Sequence, residues 1–272
     1  MTKARQLAML SIIFDPKLFP LALLFIGSGV AIYVMGVLVF SIFSTESSLA
    51  INNDIAGNKM AVFEPMVSIV MVFAITLCWL QYGEFIGQVQ KETTKLTLLA
   101  RSAETMPNPT RKSLLAAISN YALAIAGPEW KAMAEGGRSS VTEDALGALV
   151  SAYAAANAST PRELQHLRFS NVLVRELVAE REFRLEASTF PLGDSMLNLL
   201  YAAVFLSIVI SWFLGLPSLR IKLVMGSIFV ASQMVVLMFI YVLLTPLTGP
   251  AAVSNDAYLR IAKSVADDLV KE

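Results

Sequence analysis

FPLALLFIGSGVAIYVMGVLVFSIF runs from residue 19 to residue 43 without one charged side chain. An α-helix rises about 1.5 Å per residue, so this stretch outspans a hydrocarbon core of roughly 30 Å. Three more runs of similar character follow: Ala61–Leu80, Met196–Leu216 and Leu223–Leu244. The runs fall into two pairs, and they place the chain in a bilayer. The expected fold is an all-α integral membrane protein.

Composition agrees. Hydrophobic residues make up 56% of the chain and charged residues 15%, against about a quarter charged in a soluble domain. Mean hydropathy is +0.64. Formal net charge is zero, so nothing argues for nucleic acid as a partner. One cysteine, Cys78, and one histidine, His166, exclude an intrachain disulfide and any cluster of soft metal ligands. Cys78 sits inside the second run, where a buried inert thiol is expected. Lys3 and Arg5 precede the first run, but that run exceeds the about 7–15-residue core of a signal peptide. It is expected to stay as an anchor.

The runs divide the chain into four parts. Residues 1–80 carry the N-terminal segment and a first hairpin, Phe19–Phe43 and Ala61–Leu80, joined by the polar stretch Ser44–Lys59. Pro20 and Pro65 are read as near helix starts, where a missing N–H costs nothing. Residues 81–195 are charged, alanine-rich and free of any spanning run. Residues 196–245 form a second hairpin, closed by the short turn Gly215-Leu216-Pro217-Ser218. Residues 246–272 end in a short helix over Ala257–Leu269.

The middle part reads as helical throughout. Leu114, Ile118, Tyr121 and Ile125 recur at helical spacing, as do Leu146, Leu149 or Val150, and Tyr153. Ser140 with Glu143, and Thr160 with Pro161 and Glu163, look like capping boxes. A long helix is expected from Pro161 to about Phe190. Breaks are expected at Pro107-Asn108-Pro109, Gly127-Pro128 and Gly136-Gly137. No stretch alternates as a strand would.

Lysine and arginine set the expected topology. With the N-terminus inside, Lys3, Arg5, Lys17, Lys91, Lys95, Arg175, Arg181, Arg184, Arg260 and Lys263 are cytoplasmic. Only Lys59, Arg220 and Lys222 fall outside. Both termini and the middle domain are therefore expected in the cytoplasm, beneath a bacterial inner membrane.

Within the spans Glu64 is the one ionisable candidate, read as lying near the external end of the second helix. Two readings stay open. It caps that helix beside Pro65, or it joins a ring of carboxylates at a pore mouth in an oligomer. Ser68 and Gln233 are further candidates for a pore or its mouth, and Gln233 equally suits a bond to a neighbouring helix. Gly29 with Gly36, and Gly27 with Ala31, give the first helix a smooth face for close packing. No other charge is expected at mid-depth, and no interrupted inverted repeat is evident, which argues against a pump or coupled carrier. No phosphate loop, H-E-x-x-H, G-x-S-x-G or metal spacing occurs, so neither enzyme activity nor a cofactor is expected.

One ordered set of residues resembles a known family. After the first hairpin come Glu92 and Leu96, Pro107, Tyr121, Glu129-Trp130, Arg181, Arg184-Leu185, Pro191, and finally Pro246-x-x-Gly249. This series is similar to that of the bacterial membrane proteins with a bestrophin-like domain, over nearly the whole chain. The resemblance implies a distant likeness to bestrophin anion channels: a homo-oligomer with a central pore, helical cytoplasmic domains and passive anion flow. Thr245 and Leu247 stand where the family suggests an acidic residue and a phenylalanine. The acidic cluster with which bestrophins sense calcium is missing, so calcium gating is not expected.

The same residues also have ordinary readings. Trp130 beside Glu129 suits a helix start at the headgroup layer. Arg181 and Arg184, one turn apart, can pair with Glu129 or Glu92, or they can form a basic vestibule for anions. Pro246 ends the fourth span and Gly249 turns the chain. The expectation is an oligomeric passive ion channel, anion-preferring, with lipid and inorganic ions as its partners. The alternative is a non-conducting scaffold or sensor that recruits a partner through its cytoplasmic helices.

Overall fold

The computed structural model describes residues 19–43, 46–189, 193–214, 218–249 and 251–270. Every described element is helical: α1 Phe19–Phe43, α2 Glu46–Ala103, α3 Thr110–Ala124, a π-helical turn Ile125–Glu129, α4 Trp130–Ala134, α5 Ser140–Ala155, α6 Pro161–Ala187, α7 Gly193–Trp212, α8 Leu219–Leu244 and α9 Asp256–Val270. Four helices are long and apolar enough to cross a membrane: Phe19–Phe43, Ile55–Ala103, Gly193–Trp212 and Leu219–Leu244, with hydropathies of 2.4, 2.1, 1.8 and 2.3. The protein is an all-α membrane protein. Lys3, Arg5, Lys17, Pro191, the turn Gly215–Pro217 and the expected helix ends Phe190 and Leu216 lie outside the described residues.

The second helix differs from expectation. In place of a polar connection to Lys59 and a span from Ala61, one helix of 58 residues runs from Glu46 to Ala103. The polar residues before Ala61 do not interrupt it, because Asn58 and Lys59 are tolerated in a helix that no turn sequence breaks. Pro65 lies inside this helix and not at its start. Its ring removes the bond that the Ala61 carbonyl would otherwise accept.

The chain divides into two compact units. The first takes the described residues up to Leu80, those between Phe190 and Thr245, and Gly249 and Ala251. Here small residues on α1 and α8 admit large partners. A Cβ on Gly29 would run into Met234, one on Gly36 into the Trp212 indole, and one on Gly226 into the Tyr33 ring. Gly27, expected on the same smooth face, meets nothing. Tyr33, buried, donates its hydroxyl to the Lys222 carbonyl at 2.9 Å. Phe40 and Phe213 meet edge to face with ring centroids 4.7 Å apart. The Lys222 side chain is also buried and donates to the Trp212 carbonyl at 2.8 Å. That carbonyl ends α7, where the helix dipole favours a cation. Cys78 is buried, as its place in an apolar run implied.

The second unit takes Gln81–Thr189, Pro246–Thr248 and the described residues from Ala252 on. Its core joins Phe85, Leu96 and Leu99 of α2 with Leu114, Leu115, Ile118 and Tyr121 of α3, Leu149 and Tyr153 of α5, Leu177 of α6 and Tyr258 of α9. Each such apolar side chain gains about 1.5–3 kcal/mol on full burial. On α9 the buried positions Tyr258, Ala262 and Val265 keep helical spacing, while Arg260, Lys263 and Asp267 face outward. α6 opens on the expected capping box, with Thr160 accepting from the Glu163 N–H at 3.2 Å. α5 is capped one residue earlier than expected, by Ser139, which accepts from the Thr142 N–H. Gly136 ends α4 with φ of 75°, a conformation that costs glycine nothing.

Gly127-Pro128 does not break the chain as expected. It widens the helix into a π-turn, Ile125–Glu129, and the helix continues into α4. Pro128 has no N–H for the Ala124 carbonyl four residues back. The Thr142 hydroxyl takes that carbonyl at 3.0 Å, and the Asn255 amide takes the Ala126 carbonyl at 2.5 Å. Two side chains from α5 and the approach to α9 thus satisfy what the proline and the wide turn leave open. The turn swings Glu129 inward to full burial. Trp130 follows the turn and is partly buried. It packs against the core between Phe85 and Tyr258, each ring centroid 6.0 Å away.

Candidate functional site

Two polar constellations stand inside otherwise apolar surroundings, one in each unit. In the second unit Glu92 of α2 has no exposed surface. Its Oε1 accepts from the Tyr121 hydroxyl at 2.9 Å. Its Oε2 accepts from Arg184 Nε at 2.5 Å and from the Tyr258 hydroxyl at 2.6 Å. Arg184, also fully buried, turns Nη1 to the Met133 sulfur at 2.7 Å and stands 6.0 Å from the centroid of the Tyr258 ring. Its Nη2 is buried without a hydrogen-bond partner. One turn earlier Arg181 grips Glu129 through Nη2, at 3.1 and 3.2 Å to the two carboxylate oxygens.

The arrangement balances two carboxylates against two guanidiniums from neighbouring turns of α6. Burial raises the Tyr121 and Tyr258 hydroxyls well above their ordinary pKa, and the Glu92 charge adds to it. Burial alone would lower Arg184, but Glu92 and the two tyrosines outweigh it and hold the guanidinium above its usual value. Such a core holds four helices in register, because losing a carboxylate or a guanidinium strands a buried charge. Of the motif residues read from the chain, Glu92, Tyr121, Glu129, Trp130, Arg181 and Arg184 all meet here. Pro246 and Gly249 do not join them: the Gly249 N–H closes a turn onto the Thr245 carbonyl at 3.0 Å, and the Pro246 carbonyl accepts from Val253 at 2.8 Å. Tyr258 was missed. The signal was its place on the apolar stripe of a short, strongly amphipathic helix.

In the first unit Glu64 of α2 meets Ser207 of α7 and Gln233 of α8. The Ser207 hydroxyl contacts Glu64 Oε1, and Gln233 Nε2 lies 2.9 Å from Glu64 Oε2. Gln233 also reaches Ser207, with Nε2 at 3.1 Å and Oε1 at 3.3 Å from its Oγ. Ser207 and Gln233 are buried, at 0% and 7% exposure. Gln233 stands 14 residues after Leu219 and 11 before Leu244, or about 21 and 16 Å from the ends of α8. Glu64 therefore meets Gln233 near the middle of α8, while Ser207 stands five residues before the end of α7. An ionisable side chain is thus packed among the apolar spans. Because α2 is longer than expected, Glu64 lies well inside this helix, not in its first turn. Ser68, one turn further along α2, is exposed beside Ile69, Val72, Phe73 and Thr76, and does not join the cluster.

Residues 27–258 match the family model of the Bestrophin-like domain. The chain belongs to that family. The match covers both constellations of this Bestrophin-like protein and ends on Tyr258, the hydroxyl that completes the Glu92 core. Among curated proteins none matches the chain.

Proposed function

We propose that this Bestrophin-like protein is a passive ion channel of the bacterial inner membrane, working as a homo-oligomer and preferring anions. The observation that carries the reading is the family match across all four spans. The Glu64–Ser207–Gln233 cluster supports it, since it sets three polar side chains together among apolar membrane helices. Polar groups of this kind suit a permeation path, besides bonding one helix to another. Exposed apolar side chains on the membrane helices, among them Ile69, Val72 and Phe73, leave room for subunit contacts as well as for lipid. The lysine and arginine distribution favours cytoplasmic termini and a cytoplasmic middle domain.

Purified protein fused into planar bilayers is expected to give single-channel currents whose reversal potential follows the anion gradient. Well-folded oligomers that stay silent would overturn the reading.

A second reading, a non-conducting scaffold, is favoured by Phe169, Val172, Val178 and Phe183, which are all exposed on α6. Apolar side chains of this kind suit a partner helix. Polar replacements at Phe169 and Phe183 that abolish a cellular phenotype while leaving currents intact would favour it.

A further inference from the structure

We propose that Glu64 is a proton-binding site and that Ser207 and Gln233 are arranged to hold its neutral carboxylic acid. The geometry closes a ring. A proton on Glu64 Oε1 is donated to Ser207 Oγ, the Ser207 hydroxyl is donated to Gln233 Oε1 at 3.3 Å, and Gln233 Nε2 donates to Glu64 Oε2 at 2.9 Å. Each of the three groups then gives one hydrogen bond and receives one, and the ring carries no charge. The ionised form fits less well. Ser207 and Gln233 then both donate to the carboxylate, Gln233 Oε1 loses its donor, and a negative charge remains among apolar spans.

No cation neutralises that charge among the described residues. On α2 itself Lys59 is exposed and Glu84 lies 20 residues further along. α1 brings only Tyr33, whose hydroxyl is engaged by the Lys222 carbonyl. α7 brings Asp194 in its first turn and Tyr201. α8 brings Tyr241, Arg220 and Lys222, and the Lys222 ammonium is turned to the Trp212 carbonyl. A proton is thus the ligand that the cluster lacks. It enters as H⁺ from water, and its release leaves the carboxylate, so the step balances without another reactant. The bearing on conduction rests on the channel reading: deprotonation puts a negative charge on the helices, and anion flux falls as pH rises.

The test is infrared spectroscopy of the full chain in lipid, which needs no conductance. Wild type at neutral pH is expected to show the carbonyl stretch of a protonated carboxylic acid that Glu64→Gln removes. Gln233→Leu should keep the band but move it to higher frequency, because the acid carbonyl loses its donor. Monodisperse elution and unchanged helical circular dichroism show that each variant is folded. Alkaline titration should abolish the band in wild type. A spectrum in which Glu64→Gln removes only carboxylate bands at neutral pH overturns the proposal. So does a Glu64 signal that moves when sodium replaces potassium at fixed pH, since the site then holds a metal cation. If bilayers stay silent while the band behaves as described, the channel reading fails and the proton site stands.

Discussion

The Thr142 hydroxyl donates at 3.0 Å to the Ala124 carbonyl, the group that Pro128, four residues on, has no N–H to serve. A threonine on one helix thus makes a proline on another tolerable. Thr142→Val should remove this buried hydrogen bond and cost about 0.5–1.5 kcal/mol. Thr142→Ser should keep the bond and lose little. Adding Pro128→Ala to the valine variant restores an N–H and should recover part of the loss. Thermal unfolding of the purified protein in detergent measures all three.

Arg184→Met strands Glu92 in a core without water and should destabilise by about 3–5 kcal/mol. Replacing Glu92 by leucine as well should cost far less than the two single losses added, because the pair goes together. A double-mutant cycle by denaturant unfolding reads the coupling. Additive losses would mean that Arg184 acts through packing alone.

The tyrosines carry a pH signature. Burial raises Tyr121 and Tyr258 well above the usual phenol value of 10, and burial raises Tyr153 too. A raised folded-state pKa contributes stability that is complete below the unfolded value, about pH 10, and is lost as pH climbs through the folded values. Tyrosinate absorbance from these residues should therefore appear only together with alkaline unfolding. Tyr258→Phe should cost about 1.5–3 kcal/mol at neutral pH, the worth of a hydrogen bond to a charged group. Its deficit relative to wild type should shrink above pH 10.

Close packing in the first unit can be probed with single methyl groups. Gly36→Ala would drive a Cβ into the Trp212 indole and Gly226→Ala into the Tyr33 ring. Each should lower the melting temperature through overpacking of about 1–3 kcal/mol. Gly27→Ala, which meets nothing within 4 Å, should leave it unchanged.

The spans were legible because a run such as Phe19–Phe43 admits no other solvent than lipid. The Glu92, Tyr121, Glu129, Trp130, Arg181 and Arg184 set was legible as an ordered series, but the partial burial of Trp130 was not. That burial depends on the π-turn, and Gly127-Pro128 reads locally as a break. The place of Glu64 inside α2 was hidden for a similar reason. Counting from Ala61 puts it in a first turn, and only the helical reading of the polar residues after Glu46 moves it inward. Tyr258 needed tertiary context, since a tyrosine on an apolar stripe gives no sign of which carboxylate it will meet.

The Glu92 core has a cost during synthesis. Its carboxylate leaves the ribosome long before Tyr258, 166 residues later. At about 5–20 residues per second the wait is roughly 8 to 33 seconds. Throughout that interval the translocon is threading two more helices, and the nascent core stays open until Tyr258 has been made.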